Sequence, residues 1–152
     1  MFKSKLGKKQ SGFTIMELIV ALGIMGILMA IAAESFNDTS MAETHRVQND
    51  IDRIAAQTVK YAAGGVFTGV SITLLCTDQY LDADICGSGN GTGANPWAGN
   101  YSVAASGTNR FIVTVTAVPT NVGPQVAKYY SKTARSSQYT SGSKQLALVF
   151  GT

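Results

Sequence analysis

The chain has 152 residues, a formal net charge of +3, two cysteines and a single histidine. One histidine and two cysteines supply neither a metal-ligand set nor a thiol nucleophile with its imidazole partner, so the sequence reads as a non-enzyme that needs no cofactor and no metal. The charge is unevenly placed: Lys3, Lys5, Lys8 and Lys9 precede any acid. Taking those four from the twelve basic residues leaves eight against nine acidic ones, a nearly neutral remainder.

From Phe13 to Ala33 the only charged residue is Glu17. At about 1.5 Å per helical residue, a run of that length crosses a hydrocarbon core of roughly 30 Å. The basic leader holds the N-terminus in the cytoplasm and sends everything after Ala33 outward. A secretory signal would carry its small-residue cleavage site after the apolar run, but Ala30 to Ala33 pass straight into a helical pattern. Cleavage before the run, at Gly12, is the better reading. A carboxylate inside an apolar helix costs on the order of 2.5–3.5 kcal/mol on insertion scales, so such residues are usually paired. Cleavage creates a cation at similar depth in the amine of Phe13, and in a staggered stack of helices Glu17 of one subunit would meet that amine on its neighbour. A Glu17 that simply snorkels to the headgroups is the alternative. Gly23 and Gly26 are weak points of the helix, each about 1 kcal/mol worse than alanine; they suit either close helix packing or local melting in a fibre.

The basic leader, Gly12, and then Phe13-Thr14-Ile15-Met16-Glu17-Leu18 resemble the processing site of type IV prepilins and of type II secretion pseudopilins. The resemblance implies that a prepilin peptidase in the membrane cuts between Gly12 and Phe13 and methylates the new amine of Phe13. It also implies an α+β, lollipop-like pilin fold, in which one long N-terminal helix packs on a small antiparallel sheet. The divisions it implies are a leader at 1–12, a transmembrane and fibre-core helix at 13–40, and a globular head at 41–152. Leu22-Gly23-Ile24-Met25-Gly26 looks more like the type IVb pilins than the type IVa ones, whose helix usually carries a proline where this chain has Glu34. The expected partners are the peptidase and methylase, other copies of the chain, minor pilins, the inner-membrane assembly machinery and the membrane itself. The expected location is the bacterial inner membrane, then an extracellular pilus.

Beyond the membrane, Val47, Ile51, Ile54, Ala55, Thr58, Val59 and Ala62 recur at three- and four-residue steps, which predicts an amphipathic continuation of the helix ending near Gly64-Gly65. Strands are expected at Val66–Leu75, Asn100–Ala104, Arg110–Thr116 and Gln145–Phe150, where β-branched and aromatic residues lie between Gly, Asn and Ser. In the third of these, Phe111, Val113 and Val115 alternate with Ile112, Thr114 and Thr116, as expected for one buried and one partly covered face. Gln125 to Arg135 is expected to form a short surface helix. Asn95-Pro96-Trp97-Ala98-Gly99-Asn100-Tyr101 looks like the loop-to-strand entry of pilin heads. A head of this size holds one core, not two.

Cys76 and Cys86 fall on the oxidising side of the membrane, and a disulfide between them would close a short loop worth slightly less than the roughly 3 kcal/mol of a fifteen-residue one. Asp78, Asp82 and Asp84 in that loop match no EF-hand spacing and read as solvated acids. The Gly87–Gly93 run lacks the Gly-Lys-Ser/Thr ending of a phosphate loop. His45, without a second ligand, reads as a solvated residue. From Tyr101 onward there are five basic residues and no acid. Lys128, Lys132 and Arg135 would share a face of the expected helix. A subunit interface between them and Asp78, Asp82 and Asp84 is one reading, nucleic-acid binding a second, and ordinary solvated charge a third.

Three functions are compatible with these residues. The first is a structural pilin assembled through its hydrophobic helix, the second a type II secretion pseudopilin, and the third an unprocessed single-span membrane protein that keeps Gly12. Major pseudopilins usually carry a proline after the apolar run, and Glu34 stands there, which favours the pilin.

Overall fold

The computed structural model describes residues 14–63 and 65–151, without side-chain detail for residues 30–39. Gly12 and Phe13 lie outside the described residues. The chain divides into two units that meet between Thr39 and Ser40. Helix α1, Ile15–Tyr61, is 47 residues long and contains no proline. In the first unit Ile15, Leu18, Ile19, Leu22, Ile24, Met25, Ile27 and Met29 are all exposed. A helix that is apolar all round has no solvated face and must be covered by lipid or by other helices. Among the described residues no helix is long and apolar enough to cross a membrane. The span expected from Phe13 to Ala33 passes, at both ends, into residues whose side chains are not described.

In the second unit α1 becomes one-sided. Val47, Ile51, Ile54 and Thr58 are fully buried and share a stripe at helical spacing, continued by Ala62 in the closing turn. The buried Thr58 hydroxyl donates to the Ile54 carbonyl at 2.7 Å, so this polar group is satisfied within the helix. The chain leaves the helix through Gly65 at φ +76°, a conformation glycine adopts without strain, and its N–H donates to the Ala62 carbonyl at 2.6 Å.

Four antiparallel strands follow: β1, Tyr101–Ala105; β2, Arg110–Val115; β3, Ser136–Thr140; and β4, Gln145–Gly151. Their spatial order is β1-β2-β4-β3, with Val113 opposite both Val103 and Leu148. Phe111, Val113, Val115, Leu146 and Leu148 are fully buried on one face and belong to the same core cluster as Val47, Ile51 and Ile54 of α1. Each contributes roughly 1.5–3 kcal/mol by burial, whereas Ile112, Thr114 and Val149 on the opposite face are only half-buried. Between β2 and β3 lies α4, Gly123–Tyr130, which opens with Pro124 and buries Val126 and Tyr130. The fold is α+β, with a long N-terminal helix and a small antiparallel sheet.

Three expectations for local structure are corrected. Val66–Leu75 is not a strand: Gly69 turns the chain at φ +80°, and Ser71 caps a short helix, α2, Ile72–Thr77, by accepting the N–H of Leu74 at 3.3 Å. The apolar residues Phe67, Val70, Ile72 and Leu75 still reach the core, but from a turn and a helix. The surface helix expected to extend to Arg135 stops at Tyr130, where Thr133 and Ala134 close a turn by donating to the Tyr130 carbonyl. A strand at Ser136–Thr140 was not expected, because this polar edge strand shows the core little more than Ser137 and Tyr139.

Candidate fibre-forming site

Glu17 sits in the first turn of α1. Thr14 donates to its Oε2 twice, from the backbone N–H at 3.1 Å and from the hydroxyl at 3.2 Å, while the Glu17 N–H donates back to Thr14 Oγ1 at 3.3 Å. This is a capping box, in which two N–H groups left over at a helix start are satisfied reciprocally. The carboxylate also complements the positive end of the helix dipole there. Thr14 is the residue that sequence reasoning missed, although the signal, Ser/Thr three residues before Glu at the head of an apolar run, is present in Thr14-Ile15-Met16-Glu17. Thr14 is the first described residue, and the carboxylate is folded back onto it at the N-terminal end of the helix. At Gly23 and Gly26 an added Cβ would meet nothing within 4 Å, leaving room for close approach by another helix.

In the second unit, acids on α1 receive hydrogen bonds from aromatic side chains of the head. Trp97 Nε1–H donates to Glu43 Oε2 at 2.8 Å, and the Tyr101 hydroxyl to Asp50 Oδ2 at 2.8 Å. The Tyr130 hydroxyl lies 2.7 Å from Asp52 Oδ1 and 2.9 Å from the Gln48 carbonyl. Asp50 and Tyr101 are both buried. Burial raises the Asp50 carboxyl above its usual range, opposed by the Tyr101 hydrogen bond and by Arg46 at 3.9 Å. Burial, and then the facing carboxylate, likewise push the phenols of Tyr101 and Tyr130 well above the ordinary tyrosine value. Trp97 is held in place by buried Asn95, whose side-chain oxygen accepts the N–H groups of Trp97 and Gly99 while its amide donates to the Thr116 carbonyl at 2.7 Å.

The structure joins Cys76 at the end of α2 to Cys86 at the end of α3, Ala83–Cys86, with their Cα atoms 5.7 Å apart. Arg53 of α1 pairs with Asp82 and, at 3.2 Å, with Asp84, so one guanidinium faces two of the three loop acids and the loop stays net negative. No group of three or more potential metal ligands occurs among the described residues. Lys128 and Lys132 line one concavity and Arg135 does not, since the helix that would have aligned all three ends at Tyr130. His45 is exposed on α1.

A long N-terminal helix with an exposed apolar surface, one capped carboxylate at its start and an antiparallel α+β head define a type IV pilin-like protein. Residues 7–33 match the prokaryotic N-terminal methylation motif, and residues 41–147, more than half of the chain, match the family described as PilS N terminal. The chain belongs to the type IV pilin family, with the PilS N-terminal region forming its head. Comparison with curated proteins and with solved structures returns no match. The two matched families are structural ones, which speaks for a non-enzymatic subunit.

Proposed function

We propose that the mature chain is a structural subunit of a type IV pilus: a prepilin peptidase cuts between Gly12 and Phe13 and methylates Phe13, and the subunit then leaves the inner membrane for a filament. The domain limits follow, with 1–12 as leader, 13–40 as membrane and fibre-core helix and 41–152 as head. The observation that carries this reading is Glu17, the one charged residue between Phe13 and Ala33, capped by Thr14 at the start of the exposed apolar stretch of α1. Capping offsets part of the cost of placing the acid among lipid tails, and the pairing of Glu17 with the Phe13 amine of a neighbouring copy would neutralise both groups and set the axial register. Other copies, minor pilins and the inner-membrane assembly machinery are the partners this requires.

Glu17→Ala tests it. The variant is expected to enter the membrane and be processed at Gly12, yet to give at least tenfold fewer sheared filaments. Wild-type filament yield from a processed Glu17→Ala chain would rule out the pairing.

A further inference from the structure

We propose that the outer surface of α4, with the turn that follows it, binds single-stranded nucleic acid, gripping phosphates through Lys128 and Lys132 and stacking a base on Tyr129. These three residues line one shallow concavity of about 620 Å³ with Gln125, Ser131 and Thr133, and no acid lines it. The whole chain from Tyr101 onward carries five basic residues and no acid. Among the described residues Asp52 of α1 accepts a hydrogen bond from α4, through the hydroxyl of buried Tyr130.

Tyr129 is 56% exposed, a large aromatic surface to leave in water between two cations. Its ring meets the Tyr130 ring edge-on, with centroids 5.1 Å apart, and Tyr130 is itself anchored by Asp52 and the Gln48 carbonyl. The platform is therefore held before a ligand arrives, which limits the ordering cost of binding. Ser131 Oγ donates to the Lys128 carbonyl at 2.7 Å and Gln125 Nε2 to the Asn121 carbonyl at 2.9 Å, fixing the rim.

An acidic protein segment would satisfy the two lysines and leave the ring unused. A single-stranded polynucleotide offers phosphates and unpaired bases side by side, the combination that lysines flanking an exposed ring recognise. In the acidic loop of a second copy, Asp82 and Asp84 already share Arg53, which reduces without cancelling the charge it can offer the two lysines. The site lies within one subunit, so its binding and the fibre reading succeed or fail separately.

Fluorescence anisotropy of a labelled oligothymidine of about 12 nucleotides, titrated with the full-length protein in neutral detergent, tests the proposal. Two phosphate contacts predict a slope of about −1.4 for log K against log salt, or a roughly sevenfold loss between 50 and 200 mM. Lys128→Ala and Lys132→Ala should each halve that slope. Tyr129→Ala should weaken binding about fivefold or more at unchanged slope, and Tyr129→Phe should restore it. The emission of Trp97 checks that each variant is folded. Absence of binding at 50 mM salt would overturn the proposal, as would affinity that the three alanine variants leave unchanged. Heparin binding as tight as the oligonucleotide's, and equally indifferent to Tyr129→Ala, would replace it with a general polyanion surface.

Discussion

Replacing Tyr101 with phenylalanine removes one oxygen from between the sheet and α1 while the ring stays in place. Tyr101 is 1% exposed and Asp50 4%, so water cannot take over the lost bond. The hydroxyl stands 2.8 Å from Asp50 Oδ2, and Arg46, at 3.9 Å and half exposed, is the remaining counter-charge within ion-pair distance. A hydrogen bond to a charged group is worth about 1.5–3 kcal/mol and an exposed ion pair well under 1, so a loss of about 2 kcal/mol is expected at pH 7. The pH dependence follows from the direction of the Asp50 shift. Its folded pKa is raised above the usual 3.8, so its contribution is fully present below that value and is lost as pH rises through the folded pKa. Tyr101→Phe raises the folded pKa further, so its deficit should narrow on acidification, toward about 1 kcal/mol once the folded carboxyl is protonated and only a neutral hydrogen bond is missing. Urea unfolding of the full-length chain in detergent, followed through its single tryptophan, measures both quantities. A deficit under about 0.5 kcal/mol at pH 7, or one that widens as pH falls, would refute the reasoning.

Two further outcomes use the same unfolding assay. The Tyr101 and Tyr130 phenols are both held above the ordinary value of 10, so above pH 10 the unfolded chain releases protons that the folded one keeps. Stability should fall by about 1.4 kcal/mol per pH unit for each phenol, and Tyr130→Phe should make that decline shallower; a flat profile to pH 11 would contradict it. Reducing the Cys76–Cys86 bond should cost roughly 2–3 kcal/mol by releasing the loop between α2 and α3, and an unfolding midpoint that ignores reductant would contradict that.

The elements legible in the sequence were those whose period belongs to a single element. Val47, Ile51 and Ile54 repeat at helical spacing, and Phe111, Val113 and Val115 alternate as a half-buried strand must, so α1, β2 and β4 could be read directly. Ser136–Thr140 could not, because an edge strand made of serine, glutamine and threonine is held by its backbone pairing with β4 rather than by apolar side chains. Val66–Leu75 misled because buried β-branched residues look alike in a strand and in a turn followed by a helix; the deciding residues, Gly69 and Ser71, act through backbone conformation and capping. The hydrogen bonds between acids on α1 and aromatic residues of the head were beyond reach for another reason. Glu43 and Trp97, Asp50 and Tyr101, and Asp52 and Tyr130 are separated by 54, 51 and 78 positions, so only the tertiary fold brings each pair together. At the candidate site Glu17 was conspicuous as the one charge in an apolar run, while Thr14 took on meaning only through its reciprocal bonds to that carboxylate.

The central claim is that this chain is processed at Gly12 and built into a fibre. Intact-mass and N-terminal analysis of protein sheared from the surface of producing cells, without reductant, tests it most directly. The account predicts a chain that begins at N-methylated Phe13 and is two hydrogens light for the Cys76–Cys86 bond. Sheared material lacking the chain, together with membranes that hold it with Met1 to Gly12 still attached, would contradict the account.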